Sequence, residues 1–401
     1  MPEFQYRAIN GEGQIIQDVL EAAGPGIVAD RLNNLGYVPL KIKEAKKSRF
    51  KFLNNEKKVK IDDVVFFTRQ LYTLLKAGVP LLSCLDALME QGGKNNFRDI
   101  VQEIYVSIES GNSFSDALAK QPDVFPKLYI SSVRAGEMSG QLDEVLGRLA
   151  SVLEHEKNTR DKIKSAMRYP IIVVIALVIA FAILITMVVP KFATMFAQMG
   201  AQLPLPTQLL IALSKIFQHD LHFIILGIAG IVFAFKKFIK GKKGRLWWDG
   251  QKLKLPIFGD LLMKNALSRF SKMFETLNRS GLPILQTLDI LAETVGNEKI
   301  GQEIKKISLS VQRGEGIATP MKRSDIFPSM VVRMIAIGEQ TGSMEDMLET
   351  ISTHYDLEVD YAIKNMTALI EPLLTVTIGV FILFLALSIF LPMWNIMSVI
   401  H

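Results

Sequence analysis

One segment of this sequence occurs twice. Residues 67–91 and residues 270–294 align without a gap, at an offset of 203 positions, and share ten identical residues. A period this long is unlike the short repeats of a solenoid and indicates a duplicated domain. The identical pairs are Phe67/Phe270, Thr73/Thr276, Leu74/Leu277, Gly78/Gly281, Pro80/Pro283, Leu82/Leu285, Leu85/Leu288, Asp86/Asp289, Leu88/Leu291 and Glu90/Glu293.

The similarity between the two halves continues beyond these segments. A glycine recurs at the same offset and, after a slip of one residue, a Phe-Pro pair and a Gly-Glu-x-Ser/Thr-Gly motif recur as well. Each copy ends at a proline that leads into an uncharged apolar run. We therefore expect two homologous units. The matching positions are Gly111/Gly314, Phe125-Pro126/Phe327-Pro328, residues 136–140/338–342 and Tyr169-Pro170/Glu371-Pro372.

The bulk composition points to a membrane protein. Hydrophobic residues make up 49% of the 401, and the mean hydropathy of +0.26 is high for a soluble chain. The net charge of +6 is too modest to indicate a nucleic-acid partner. A single cysteine, Cys84, excludes a disulfide framework within the chain and fits a reducing compartment.

Three apolar segments are predicted to cross the membrane. Residues 171–189 carry no charge, and 19 residues at about 1.5 Å per residue span roughly 28 Å, enough for the hydrocarbon core. We place the transmembrane helices at residues 169–189, 220–238 and 371–391. The second is the shortest apolar run and includes Lys236 and Lys237, which can snorkel to the interface.

The distribution of basic residues predicts the orientation. Lysines and arginines cluster before the first span, from Lys157 to Arg168, and after the second, from Lys236 to Arg245. The positive-inside rule therefore places the N-terminus and both repeats in the cytoplasm. The loop at 190–219 and the tail at 392–401 would then be periplasmic. Nothing at the N-terminus resembles a secretory signal, which agrees with a cytoplasmic start.

A small module is predicted at residues 1–45. Phe4, Tyr6 and Ala8 alternate in the first arm of a β-hairpin, a helix follows up to Gly36, and residues 37–40 form a further strand. The module is too small for a large core, so we expect it to be mobile or to dock on a partner.

A basic linker at 46–60 follows. Residues 41–60 hold nine basic and two acidic residues and are either a segment that binds anionic lipid or a solvated linker.

Both repeats, at residues 61–168 and 239–370, show helical periodicity. We expect about six helices in each, with Gly78 closing the first helix and Pro80 just inside the next, as Gly281 and Pro283 do in the second copy. The predicted fold class is a mainly α, polytopic membrane protein. It has two homologous cytoplasmic six-helix-bundle repeats, three transmembrane helices and a small N-terminal α/β module.

The sequence offers no recognisable catalytic centre. It has no phosphate-binding lysine motif, dinucleotide fingerprint or zinc-spaced Cys/His set, so we predict no catalytic residue, no cofactor and no metal. His219 and His222 lie where the second span leaves the bilayer and are interpreted as a polar collar rather than a metal site. An inverted-repeat transporter or channel is the main alternative, but the spans lack ionisable residues at their centres and do not divide evenly between the repeats. A membrane-anchored enzyme would need matching reactive groups in both copies, where only glycines, prolines and acids match.

The Gly-Glu-x-Ser/Thr-Gly motifs are the most specific polar feature. Gly136 and Gly338 are predicted to end one helix, with the next helix opening at the end of each motif. The ending of one helix and the start of the next do not require a glutamate at Glu137 or Glu339. We therefore interpret each motif as a structural turn whose glutamate also contacts another group. Gly140 and Gly342 complete the motifs.

A second pair of positions lies where the repeats enter the membrane. Glu371-Pro372 precedes the third span as Tyr169-Pro170 precedes the first, and the prolines mark the entry into the bilayer. The glutamate either pairs with a basic group of a partner or reaches for water.

The whole chain resembles the PilC/GspF family, the inner-membrane platform proteins of type IV pilus and type II secretion machines. The resemblance is carried by both copies of two motifs, by the residues at the membrane entrances and by the N-terminal Phe-x-Tyr-x-Ala pattern. These are Gly78-Val79-Pro80, Gly281-Leu282-Pro283, residues 136–140 and 338–342, Met167-Arg168-Tyr169-Pro170, Ile370-Glu371-Pro372, Leu391-Pro392 and Phe4/Tyr6/Ala8.

The resemblance implies a non-enzymatic scaffold in the bacterial inner membrane. Its implied partners are a hexameric assembly ATPase, other inner-membrane assembly proteins, pilin or pseudopilin subunits and membrane lipid, and we expect a homo-oligomer that binds no nucleic acid. Carried over to this sequence, Glu137, Glu339 and Glu371-Pro372 are the expected contact positions. Residues 392–397 look more like the mannose-sensitive pilus branch than like dedicated secretion systems.

Overall fold

The computed structural model describes residues 3–9, 15–21, 24–34, 36–44, 59–91, 96–191, 194, 207–212, 214 and 221–399. Two compact units divide the chain, one up to Lys58 and one from Val59 onward. Most of the predicted basic linker at 46–60 lies outside the described residues, as do Gly11 and Gly13.

The N-terminal unit is a three-stranded antiparallel sheet with one helix, which confirms the predicted hairpin, helix and third strand. The strands have the order β2-β1-β3, and Phe4 pairs with Leu20 across the hairpin. Phe4 and Ala8 bury their side chains with Val28 and Leu32 of the helix. The elements are β1 (Glu3–Ile9), β2 (Ile15–Glu21), α1 (Pro25–Asn34) and β3 (Val38–Glu44).

Within the described residues, six helices occur in the same order in both repeats, in agreement with the expected number, and the mainly α fold class is confirmed. The first repeat comprises α2 (Ile61–Lys76), α3 (Leu81–Gln91), α4 (Asn96–Glu109), α5 (Phe114–Ala119), α6 (Lys127–Ser139) and α7 (Leu142–Ile183). Between the repeats the structure describes α8 (Leu221–Lys240) and α9 (Lys242–Lys252), besides a short helical stretch at residues 207–212. The second comprises α10 (Phe258–Arg279), α11 (Ile284–Thr294), α12 (Glu298–Gln312), α13 (Ala318–Lys322), α14 (Ser329–Thr341) and α15 (Met344–Val399).

Equivalent aromatic residues form the two cores. Phe67 packs against Phe125 with ring centroids 6.0 Å apart, and their counterparts Phe270 and Phe327 are 5.5 Å apart. All four are buried. The residues shared between the repeats therefore include aromatic side chains of the hydrophobic core of each bundle.

The last helix of each repeat continues into a predicted span. Two helical stretches in the described part of the chain, Leu142–Lys191 and Met344–Ser388, are long and apolar enough to cross a membrane. Pro170 and Pro372 both lie inside these continuous helices. The second predicted span coincides with α8, whose apolar side chains include the exposed Phe223, Leu226 and Phe233.

Residues 207–212 are helical and reach the first and third spans. The Thr207 hydroxyl donates to the Ser388 carbonyl oxygen at 2.7 Å, and the Ser214 hydroxyl donates to the Ile185 carbonyl oxygen at 2.8 Å. Ile185 lies in a π-helical turn at Leu184–Val188 that continues α7. Such a turn disturbs the regular backbone hydrogen bonds, and the hydroxyl of Ser214 provides a partner for one carbonyl there.

The two repeats pack against each other. Leu128 and Val152 of the first repeat belong to the buried core cluster of the second. Ion pairs cross the same contact, with charged atoms 2.8 Å apart in Arg269–Glu156, 2.7 Å in Lys162–Asp360 and 2.6 Å in Lys127–Glu293. Close to the membrane, α7, α10 and α15 share a further apolar cluster around Leu261 and Met366.

Candidate functional site

Both motif glutamates cap the N-terminus of a short helix in their own repeat. The Glu137 carboxylate accepts hydrogen bonds from the backbone N–H groups of Phe114 and Ser115, at 2.6 and 3.0 Å, where α5 begins. A carboxylate at this position satisfies backbone donors that have no partner in the helix and meets the positive end of the helix dipole. This cap explains why the motif contains a glutamate at position 137, which the helix end alone does not require.

The second repeat reproduces the cap at the start of α13. The Glu339 carboxylate accepts from the N–H groups of Ile317 and Ala318, the latter at 3.0 Å. Gly316 makes room, because a Cβ built on it would lie 3.1 Å from the Glu339 Oε1 atom. The equivalent residue in the first repeat is Ser113, whose hydroxyl accepts from the Asp116 N–H at 3.1 Å.

The prediction that Gly136 and Gly338 end a helix was wrong. Helix α6 continues to Ser139 and α14 to Thr341, and the left-handed residues that end them are Gly140, with φ of 70°, and Gly342, with φ of 72°. Gly136 has another function: a Cβ there would lie 3.0 Å from a methyl carbon of Val145. The first glycine therefore allows adjacent helices to pack closely, and the second ends the helix.

The duplicated Gly-x-Pro corners are placed nearly as predicted. Gly78 and Gly281 have φ of 83° and 75°, a conformation that favours glycine, and each follows a helix. Pro80 and Pro283 precede α3 and α11 rather than lying inside them, which corrects the predicted position by one residue. Their carbonyl oxygens accept the first helical hydrogen bonds, each at 2.9 Å.

The Glu-Pro pair at the third span lies on the surface of α15. The side chains of Glu371 and Pro372 are exposed, and Glu371 forms no ion pair with any described residue. Pro170, the equivalent proline in α7, is buried. A contact of Glu371 with a partner stays a prediction, as does any partner contact of Glu137 or Glu339.

A polar cluster that no sequence pattern indicates lies between the repeats. The Ser268 hydroxyl donates to the Asp356 carboxylate, and His155 Nε2 lies 3.2 Å from the same carboxylate oxygen. Serine and aspartate therefore meet the same side of the imidazole, whereas a nucleophilic triad needs them at opposite ring nitrogens. The arrangement is that of a part-buried polar contact, in which only Ser268 is fully buried. No short-range pattern marks it, because its members come from α7, α10 and α15.

A cavity of about 570 Å³ adjoins this cluster. Its walls carry both signs of charge, with Asp161 and Asp360 near Lys162. Lys162 already binds Asp360 through both carboxylate oxygens, at 2.7 and 2.9 Å. Within the described ranges no three acidic, histidine or cysteine side chains are grouped so as to hold a metal ion.

Comparisons with known proteins match the whole chain. The family described as "Type II secretion system (T2SS), protein F" matches residues 67–190 and 270–392, one match in each repeat, and its N-terminal domain matches residues 1–43. The type IV pilus assembly protein PilC of Myxococcus xanthus is 37% identical over 402 residues, covering 100% of this chain and 96% of that protein.

Two further relatives show the breadth of the similarity. PilC of Thermus thermophilus is 37% identical, with 99% of both chains covered. The type II secretion system protein F of Vibrio cholerae is 30% identical, with 99% of this chain and 100% of that protein covered. Relatives from both kinds of machine therefore align with this chain from end to end.

Proposed function

This chain belongs to the family of type II secretion system protein F, and we propose that it is the inner-membrane platform of a type IV pilus or type II secretion machine. In this function it couples a cytoplasmic assembly ATPase to the incorporation of pilin or pseudopilin subunits into a fibre. It has no enzymatic centre of its own and takes its energy from that ATPase. The mannose-sensitive branch predicted from residues 392–397 stays a prediction.

The observation that carries the proposal is the continuity between bundle and span. Helix α7 leaves the first repeat and enters the first apolar segment without interruption, and α15 does the same in the second. A movement applied to the bundles by a cytoplasmic partner would therefore reach the membrane through rigid helices. The ion pairs between the repeats support joint movement of the two bundles.

Deletion of the gene in the host bacterium tests the proposal. Surface fibres and secreted proteins are measured separately, and a plasmid copy of the wild-type gene must restore whichever is lost. Loss of fibres alone assigns the chain to a pilus, and loss of secretion alone assigns it to a secretion system. Normal fibres together with normal secretion would contradict the platform function.

A reporter fused after His401 tests the topology. Three spans with a cytoplasmic N-terminus place the C-terminus in the periplasm, so a reporter that is active only outside the cytoplasm should be active there. The same reporter placed after Gly140 should be inactive. A C-terminal fusion that is present in the membrane but inactive would contradict the three-span topology and leave α8 as a helix that does not cross.

A further inference from the structure

The cytoplasmic end of α8 and the start of α9 form a concentrated basic surface. Six cationic side chains are exposed there. Within the described residues Arg245 alone of the six lies near an acid, 3.9 Å from Asp249, and the five lysines form no ion pair. We call residues 236–248 the basic corner. Its cations are Lys236, Lys237, Lys240, Lys242, Lys243 and Arg245.

Two tryptophans lie within the basic corner. Trp248 packs edge-on against Phe235 with ring centroids 5.0 Å apart, and Trp247 lies 6.2 Å from Phe238. Trp247 remains 52% exposed. Indole rings favour the boundary between hydrocarbon and headgroups, so their place at the end of an apolar helix is typical of a membrane interface.

A glycine lets α9 fold back closely on α8. A Cβ built on Gly244 would lie 2.0 Å from the Phe238 carbonyl oxygen, a distance that no side chain allows. The cations of both helices are thereby kept at one end of the apolar segment.

The basic corner is joined to the second repeat through Asp249. This buried carboxylate accepts from the Glu298 N–H at 3.0 Å at the start of α12, and it lies 2.9 Å from the Lys252 ammonium. The Asn297 amide also donates to the Asp249 carbonyl oxygen at 3.2 Å. An interaction that fixes the position of α9 therefore also fixes the position of the start of α12.

We propose that the basic corner binds the phosphate groups of anionic phospholipids and thereby fixes the second repeat against the membrane. Lipid is the ligand that the structure favours, because the exposed apolar side chains of α8 are directly followed along the helix by the cations. An apolar surface next to a basic one matches the acyl chains and the phosphate of a phospholipid. Basic residues next to an apolar segment attract anionic headgroups, and tryptophans anchor that boundary. The inference does not depend on the proposed function, since it concerns lipid rather than the assembly machine.

Tryptophan quenching by brominated lipids tests the proposal on the full chain. The W248F/W394F variant retains Trp247 as its sole tryptophan and is reconstituted in phosphatidylcholine vesicles with about 30% phosphatidylglycerol, where either lipid carries the bromine. Because a basic residue near an anionic surface contributes about 1 kcal/mol of attraction, which is about a five-fold preference, we expect brominated phosphatidylglycerol to quench about five-fold more per mole fraction. The K242Q/K243Q/R245Q variant, which keeps Lys236, Lys237 and Lys240, should reduce this preference markedly.

A matched triple variant provides the control. Lys305, Arg313 and Lys322 are exposed residues of the second repeat without an ion pair to any described residue, and their replacement by glutamine removes the same charge. This control should keep the preference for phosphatidylglycerol. If W248F disturbs folding, the W394F variant, in which both tryptophans report, replaces it.

Three results would overturn the proposal. Equal quenching by the two lipids would mean that anionic headgroups are not selected, and absence of quenching would place the basic corner away from the membrane. A preference that is unchanged by the triple substitution, while fibre assembly in cells is lost, would assign the surface to a protein partner.

Discussion

At the scale of single residues, the two motif glutamates allow a structural function to be separated from a partner contact. Replacement of Glu137 by glutamine removes one acceptor oxygen and the charge, so it should destabilise the protein by about 1–3 kcal/mol. The same change at Glu339 should cost less, because that side chain is exposed. Thermal unfolding in detergent measures both, with Glu109→Gln as a near-neutral control, since Glu109 is exposed and forms no ion pair with a described residue.

The same variants decide the partner contact. If Glu137 contacts the assembly ATPase as well, Glu137→Gln should reduce recovery of that ATPase in pull-downs at a temperature where the variant is folded. Undiminished recovery, with lowered thermal stability, would mean that Glu137 serves only as a helix cap, and the same measurement on Glu339→Gln decides for Glu339.

A second residue-scale prediction comes from a pair of equivalent hydroxyls. In the first repeat Thr68 donates to the Val64 carbonyl oxygen at 2.7 Å and lies 3.0 Å from the Tyr129 hydroxyl. Because the Thr68 proton is used on Val64, the Tyr129 phenol donates to Thr68, and burial raises the pKa of Tyr129 far above its ordinary value, which keeps the phenol protonated. The equivalent hydroxyl, on Ser271, is buried without a hydrogen-bond partner in the described structure, and Val331 stands where Tyr129 would.

Ser271→Ala should therefore stabilise the protein and Thr68→Val should destabilise it, each by about 1 kcal/mol. The alanine removes a desolvated hydroxyl at no loss of a bond, whereas the valine leaves the Tyr129 hydroxyl unpaired. Unfolding temperatures of the two variants in the same detergent provide the measurement. A fall in the unfolding temperature of Ser271→Ala would show that its hydroxyl has a partner after all.

At the scale of elements, helices were predictable and close contacts were not. Apolar periodicity predicted the helices of the first repeat, because a helix must present one face to the core. Gly78 predicted where the first of these helices ends, because the backbone can turn there. The function of Gly136 was missed, since two glycines four residues apart give no local sign of which one ends the helix. The contacts of Glu137 and Asp356 were missed because their partners are distant in sequence.

The corner between α8 and α9 provides an element-scale prediction. Gly244→Ala would place a Cβ against the Phe238 carbonyl, so the two helices must separate and the protein should be destabilised strongly. Gly250→Ala in the same helix has open space and gains helix propensity, so it should be neutral or stabilising by up to about 1 kcal/mol. The amount of protein in membrane extracts and its unfolding temperature test the pair. Equal effects of the two substitutions would contradict the close packing of α9 on α8.

At the scale of the whole molecule, the sequence predicted two repeats and helices that enter the membrane, because duplication and long apolar runs are visible without a structure. It did not predict that the repeats pack together. Leu128 looks like an ordinary core residue of the first repeat, yet it packs in the core cluster of the second. The ion pair between Lys162 and Asp360 joins residues far apart in the chain, and no periodic pattern records such a pairing.

The proposed coupling depends on helix α7 being unbroken between bundle and membrane, which an insertion can test. Seven glycines between Arg168 and Tyr169 would interrupt the helix, because glycine is a poor helix former. Seven alanines there would lengthen it by about two turns and nearly preserve its orientation. We expect the glycine variant to insert in the membrane and lose fibre assembly or secretion, and the alanine variant to retain more of either. Seven glycines between Gly92 and Gly93, which connect α3 and α4, control for insertion itself. Wild-type assembly by the glycine variant at Arg168 would show that movement does not pass through α7.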